Sequence, residues 1–429
     1  MSQTSIRIKL FLTVLAMAIP LLVVVGGLAY LQGRSAVERA TFEHLTSVRA
    51  GKAKQIETYF DQIRRLARTM ARSRMVVDAM GELEAAFDEL EDEGLNDSHQ
   101  SALAAYYSDV FVPRLALHSE RTVDAAGFLP SDPAAVHLQY NYIAANPNPV
   151  GEKDRLDDAG DGTAYSKLHR VYHPVLRDFV REFGFHDLFL IDGTGRIVYS
   201  VAKEVDLGTD LFNGPYQDSN LADAFRAAQG AVVSGEAQLV DFAAYGPSYG
   251  EPASFMAAPI VEGGWVLGVL AFQMPVGEID RVMTNDRGWE TDGLGATGET
   301  YLIGRDYLMR SNSRLALEDL EGFVDAAANS GTSELDLGMI RDFGTTILLQ
   351  EVRTPAAEAA LEGRTATEES RDYLGDEVLV SYAPVDIEGV EWAIVSEINS
   401  REAFARVQNF TRNLVFGLTG LLSLVMLVS

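Results

Sequence analysis

Two uncharged apolar runs, one near each end, dictate the outline of this chain. Leu10 to Leu31 (LFLTVLAMAIPLLVVVGGLAYL) gives 22 residues without a charge, and residues 413–429 (NLVFGLTGLLSLVMLVS) give 17 that run to the last position. At about 1.5 Å per helical residue the first run covers a ~30 Å hydrocarbon core, whereas the second reaches only ~25 Å of it. The second run is therefore expected to be an incomplete membrane helix with a cytoplasmic part missing after it. Between the two stand 381 mostly polar residues, 32–412. The first run follows a short basic start with Arg7 and Lys9. It exceeds the ~7–15 residues of a signal-peptide core, however, and no small-x-small cleavage site closes it. It reads as an uncleaved anchor, in which Pro20, Gly26 and Gly27 are tolerated. The positive-inside rule then places residues 1–9 in the cytoplasm and residues 32–412 outside.

Charge and cysteine content narrow the classes further. A net charge of -27 argues against nucleic acid or anionic lipid as a partner, and only six of the 35 basic residues are lysine. With no cysteine there are no disulfide staples, thiol nucleophiles or thiolate metal sites, so stability must come from apolar cores.

A helical stripe follows the first membrane run. Ile56, Phe60, Ile63, Ala67 and Met70 step by four and three, and the stripe resumes at Val77, Met80, Leu83, Phe87 and Leu90. The spacing predicts one stalk continuing from the membrane through 32–93, packed on its own domain and shared with a parallel partner in a homodimer. Gly94 to Ser98 (GLNDS) ends it. A helical and loop connection, 94–134, comes next, with helices expected around Ala102–Leu117 and Ser166–Phe183.

From residue 186 the pattern changes to strands. HDLFLID (186–192) and RIVYSV (196–201) flank a Gly193-Thr-Gly195 turn, and EAQLVDF, ASFMAAPI and WVLGVLAFQM (236–274) follow a mixed helical stretch. Two strands, an insertion and three antiparallel strands make a PAS-like module. The order recurs in TYLIGRD and YLMRSNS (300–313). YAPVDIEGVEWAIVSEI (382–398) echoes MAAPIVEGGWVLGVLAFQM (256–274), with Ala383-Pro384 aligned to Ala258-Pro259. The fold class is α+β: a long N-terminal membrane and stalk helix, two tandem PAS-like antiparallel-sheet modules at 135–277 and 278–399, and an exit and transmembrane helix at 400–429. Asn399 with Glu402 forms a capping-box pattern at the start of that last helix.

Several motifs suggest chemistry and fail on context. Asp157 to Gly162 (DDAGDG) lacks the EF-hand pattern, because Ala159 takes position 3 and Leu168 position 12. His169 and His173 share a helix face without a third ligand and read as structural. Gly293-Leu-Gly295-Ala-Thr-Gly298 fits a dinucleotide fingerprint but precedes a strand, so it reads as a turn. No catalytic residue, metal site or cofactor is expected.

The segments AKQIETYFDQIRRLARTMARSRMVVDAM, GFHDLFLIDGTGRIVYSVAKEVDLGTDLFNGPYQDSNLA and GLGATGETYLIGRDYLMRSNSR resemble the double Cache ectodomain of bacterial transmembrane receptors. More narrowly, they are similar to sensors of methyl-accepting chemotaxis proteins and of some receptor adenylate or guanylate cyclases. The resemblance implies a small-molecule ligand in the membrane-distal module, no enzymatic activity in this portion, and cytoplasmic signalling partners reached through the missing part. A receptor enzyme such as a cyclase, histidine kinase or diguanylate cyclase is the alternative output. Where amino-acid-binding members carry an arginine and a Trp-Tyr pair, this chain has Asn213-Gly214-Pro215-Tyr216, and only the tyrosine matches. The family's aspartate on the last distal strand has no counterpart in VLAFQM. Without that arginine an α-carboxylate loses its bidentate clamp. The residues expected at the pocket are Tyr199, Asp210, Tyr216, Asp218, Asp241, Tyr249, Ser254 and Met256, a set of aromatics and carboxylates suited to a cationic or polyhydroxylated ligand.

Overall fold

The computed structural model describes residues 6–92, 94–118, 124–231, 233 and 235–428; residues 1–5 of the expected cytoplasmic start and Ser429 of the second apolar run lie outside it. For residues 6–16, 18, 19, 418, 421, 422 and 424–428 it describes the backbone alone.

The anchor and stalk are one helix, α1, Ile6–Ala71, passing through Pro20. At 66 residues it extends about 100 Å. Among the described residues it is the one helix long and apolar enough to cross a membrane. The stripe does not continue in the same helix. The chain breaks at Arg72 and Ser73, and α2 (Arg74–Asp92) begins afresh. No proline or glycine causes this break. The Ser73 hydroxyl donates back to the Met70 carbonyl at 2.8 Å and accepts the Val76 N–H at 3.3 Å, capping α2. The stripe residues Ile56, Phe60, Ile63, Ala67, Val77, Met80, Leu83, Phe87 and Leu90 are all buried in the chain's own core. The shared-stripe expectation is corrected to this extent: between 56 and 90 the stripe is taken up within one chain.

Helices α3 (Asp97–Tyr106) and α4 (Val112–Leu117) are joined by a π-helical turn at Tyr107–Phe111, and α5 (Pro133–Gln139) and α6 (Ala164–Phe183) follow. The first sheet holds β1 (Asp187–Asp192), β2 (Ile197–Ser200), β3 (Gln238–Tyr245), β4 (Glu251–Glu262) and β5 (Trp265–Gln273), with α7 (Asn220–Gly230) inserted after β2. Its order is β2-β1-β5-β4-β3, and every pairing is antiparallel. Helix α8 (Val276–Thr284) leads to the second sheet, β6 (Glu299–Gly304), β7 (Ala366–Arg371), β8 (Glu377–Val385) and β9 (Trp392–Asn399), ordered β6-β9-β8-β7. Between β6 and β7 lie α9 (Arg314–Glu318), α10 (Leu320–Ser330), α11 (Glu334–Phe343) and α12 (Pro355–Leu361). The chain leaves through α13 (Ser400–Ala403) and α14 (Ala405–Val428).

These are two tandem PAS-like sheets, and the repeat shows in their registers. Pro259 pairs with Val269 in the first, and Pro384 with Ala393 in the second. One expected strand is absent from the second sheet. Residues 307–313 form only isolated bridges, because the Ser311 hydroxyl accepts the Leu302 N–H at 3.0 Å and Met309 turns its backbone toward Leu348 and Gln350.

Alternation decides what each sheet face meets. Leu188, Leu190, Met256, Leu270 and Phe272 face the stalk helices, whereas Phe189, Ile191, Phe255, Val269 and Ala271 face α7 and the π-helical turn. In the second sheet Leu302, Ala383 and Ile394 join the same stalk-side core, while Tyr301, Ile303, Val380 and Val395 pack under α10 to α12. One continuous core therefore holds both sheets on α1.

Polar contacts fix their order along that helix. Thr46 and Arg49 reach Ser381 of the second sheet, and Arg68 reaches Glu236 beside the first. Arg64 touches both, donating to the Ala237 carbonyl at 2.6 Å and the Glu388 carbonyl at 2.7 Å. The sheets also meet directly, since Arg310 grips Asp241 at 2.9 and 3.0 Å and Trp392 Nε1 donates to the same carboxylate at 2.9 Å. Near the other end of α1, Gly26 gives α14 room: a Cβ there would stand 3.1 Å from Leu414.

The capping box at the exit is half formed. Asn399 Oδ1 accepts the Arg401 N–H at 2.9 Å, but Glu402 turns away from it. Its carboxylate accepts the N–H groups of Ala296 and Thr297, each at 2.8 Å, and the Thr297 hydroxyl at 2.5 Å. The glycine loop at 293–298 is thus a turn, as expected, and also a cradle. Gly295 has φ +62°, and a Cβ there would lie 2.3 Å from Glu402 Oε1.

Candidate ligand-binding site

The outer face of the first sheet carries buried polar groups that packing does not require. The π-helical turn directs Tyr107 inward, and the loop after β2 brings in Glu204 and Asp206. Gly208 holds that loop against α5 with φ +82°, where a Cβ would meet Ala135 Cα at 2.7 Å. Tyr245 closes β3 and Gln273 closes β5. Beside this cluster opens a cavity of about 250 Å³, lined among others by Tyr106, Lys203, Glu204, Val205, Pro247 and Tyr249.

The hydrogen bonding is incomplete. The Tyr245 hydroxyl donates to Asp206 Oδ2, Tyr107 to Gln139 at 2.9 Å, and Ser248 to Glu204 at 2.6 Å. Asp206 Oδ1, the Tyr216 hydroxyl and Gln273 Oε1 are buried without a partner among the described residues. Buried polar atoms are normally satisfied, so these three make the outer face a candidate site. The electrostatics agree. Burial, then the neighbouring carboxylates Glu204 and Asp187, push the Asp206 carboxyl well above its ordinary range. Asp187, also fully buried, is pushed up by burial although the Ala202 N–H opposes it. On the stalk-facing side, burial pushes the Lys203 ammonium down; it is held by the Ser200 and Val201 carbonyls, 4.7 Å over the Tyr199 ring. The cavity itself mixes signs, with Lys153, Arg181, His186 and Lys203 lining it beside Asp154 and Glu204, and Glu204 meets His186 at 3.5 Å.

The eight expected residues do not converge. Tyr216 is in the cluster and Tyr249 lines the cavity. Tyr199 and Met256 lie on the opposite, stalk-facing side, where the Tyr199 hydroxyl meets His173 Nδ1 at 2.7 Å. Ser254 is buried and donates to the Val240 carbonyl at 2.8 Å. Asp210 caps the turn at Phe212, Asp218 is exposed, and Asp241 serves the junction between the sheets. Sequence reasoning missed Tyr107, Glu204, Asp206, Tyr245 and Gln273. One signal was available: two acids flanking an apolar residue, Glu204-Val-Asp206, directly ahead of Leu207-Gly208.

The rejected motifs have internal uses. His169 and His173 stack at 4.3 Å within the core, and His169 Nδ1 meets the Asp157 carbonyl at 2.7 Å. Asp157 binds Arg177 at 2.6 Å, and Asp161 accepts from Thr163 and meets His137.

No family model and no curated protein matches the sequence. Solved structures similar to it include the ligand-binding domain of the Pseudomonas fluorescens chemoreceptor CtaA in complex with L-alanine, at 13% identity and a TM-score of 0.33, covering 74% of this chain and 99% of that one. The ligand-binding domain of the Pseudomonas aeruginosa PAO1 amino acid chemoreceptor PctB in complex with L-Arg is similar at 14% identity and a TM-score of 0.34, covering 74% and 98%. The sensor domain of the V. cholerae histidine kinase DctB is similar at 13% identity and a TM-score of 0.33, covering 71% and 96%.

Proposed function

We propose that this chain is the extracytoplasmic ligand-sensing part of a bacterial transmembrane receptor of the methyl-accepting chemotaxis type, working as a homodimer. Its ligand is a small polyhydroxylated molecule, held in the cavity by Glu204 and Tyr249, with Asp206, Tyr216 and Tyr245 forming the network behind them. The observation that carries this reading is the buried, half-satisfied Asp206 network beside a cavity. The membrane is crossed by the first part of α1 and by α14, with the N-terminus in the cytoplasm. Exposed Leu21, Val23, Val25, Leu28, Val415 and Phe416 support that placement, since apolar side chains of this density suit hydrocarbon.

Binding at the first sheet reaches the exit through the sheet junction. Asp241 on β3 is tied to Trp392, the first residue of β9, and β9 runs into α13. Ligand binding shifts the population of two positions of that exit helix.

Thermal unfolding of the full chain in lipid nanodiscs against a panel of polyols tests this. A binding member at a hundredfold excess over its Kd should stabilise the protein by about 2.7 kcal/mol, and Asp206→Asn should abolish the shift. A hit whose shift survives both Asp206→Asn and Tyr216→Phe would displace the site from this cluster. A panel without hits would count against the ligand class.

A further inference from the structure

The outer face of the second sheet holds a pair of carboxyls that its aliphatic surroundings do not call for. Glu299 on β6 and Glu397 on β9 stand directly opposite each other in the ladder, on the same face as Tyr301 and Val395. Both are buried, with 8% and 4% of their surface exposed. Like charges directly opposed across strands repel, and exclusion of water strengthens that repulsion.

The two carboxyls are unequally supported. Glu299 accepts the Tyr373 hydroxyl at 2.7 Å, the Arg314 N–H at 2.8 Å and the Ser313 hydroxyl at 3.5 Å. Among the described residues Glu397 accepts only the Tyr301 hydroxyl, at 3.2 Å, and its Oε1 has no partner. Donors directed at a carboxylate favour its charged form, so the geometry gives the charge to Glu299.

The surrounding elements supply little compensation. The segment entering α9 contributes Ser313 and Arg314, whose guanidinium is occupied by the Gly295 and Gly298 carbonyls and by Glu318 at 3.0 Å. The turn between β7 and β8 adds Tyr373 and another acid, Asp372, and β8 presents Val380 opposite Glu397.

We propose that Glu299 and Glu397 form a proton-binding site holding one proton, with Glu299 charged and Glu397 protonated, so that the second module responds to pH. Burial, then the charges of Glu299 and Asp372, push the Glu397 carboxyl well above its usual range. Because the folded value is raised, the site's contribution to stability is complete below the ordinary glutamate value of about 4.3 and is lost as pH rises through the folded value. Glu397 stands two positions before Asn399, the cap of α13. Loss of the proton therefore sets two opposed charges at the end of the strand that feeds the exit helix. That consequence rests on the receptor reading; the protonation does not.

Infrared spectra of the full chain in lipid nanodiscs, taken from acid to alkaline pH, test it against Glu397→Gln, which keeps the shape and removes the proton. The wild type should show a protonated-carboxyl band at neutral pH that the variant lacks, and its melting midpoint should fall relative to the variant's as pH rises. Asp187 and Asp206 are present in both proteins and cancel in the difference. Identical bands would overturn the proposal. If Glu397→Gln does not fold, Glu299→Gln replaces it: removing the charged partner should move the titration of the remaining band to lower pH, and an unmoved titration would overturn the proposal. A protein that shows the band and binds no ligand keeps this site and loses the receptor reading.

Discussion

In the first sheet Asp187, Gln273 and Phe255 stand side by side across β1, β5 and β4; in the second, Glu299, Glu397 and Val380 hold the equivalent places across β6, β9 and β8. Each site leaves buried oxygens unpaired: Asp187 Oδ2 and Gln273 Oε1 in one, Glu397 Oε1 in the other. What covers them differs. Over the first sheet lie an irregular acidic loop and a π-helical turn, and that loop also lines a cavity of about 250 Å³. Over the second lie α10 to α12, whose apolar residues pack directly on the strands. The same ladder position thus lies under a loose, irregular cover in one module and under tightly packed helices in the other. The two modules differ in the cover more than in the sheet.

The largest expected effect tests whether the two modules are one cooperative unit. Phe60 lies in the core common to both sheets and meets Trp392 edge-on at 5.4 Å. Phe60→Ala should cost about 3–5 kcal/mol, and denaturant unfolding followed by probes in each sheet should lose both together. Two separated transitions in the wild type would break the unit into independent modules.

A smaller effect is expected at the junction. Asp241→Ala leaves the buried Arg310 with Asp306 at 2.9 Å and removes the acceptor of Trp392. The cost should be about 1–3 kcal/mol. If binding at the first sheet reaches the exit by this route, the variant should bind ligand while losing ligand-dependent crosslinking between cysteines introduced in α14. Unchanged crosslinking would place the route along α1. The smallest effect serves as a control. Arg34 and Glu369 are both about half exposed at 3.0 Å, so Arg34→Ala should change stability by less than about 1 kcal/mol in a thermal melt.

Much of this architecture was legible in the chain because strands buried on both faces read as near-continuous apolar runs, such as WVLGVLAF. The Ala-Pro echo placed β4 with β8 correctly. Local hydrogen bonds account for the errors: one hydroxyl, Ser73, ends the stalk helix, and another, Ser311, takes a ladder position and peels away a strand. The site was less legible because its members come from distant parts of the chain. Tyr245 meets Asp206 across 39 positions, and Tyr107 reaches the Val205 carbonyl across 98. Single-sequence spacing carries no trace of such pairings.

The cradle for Glu402 has a mechanical consequence. The loop that grips this side chain runs directly into β6, and Arg314 braces the loop by two of its carbonyls. The helix turns again immediately beyond, at Phe404, between α13 and α14. The base of the exit helix is therefore pinned to β6 by a side chain and continuous with β9 through the backbone, so two neighbouring strands fix where the 24-residue α14 begins.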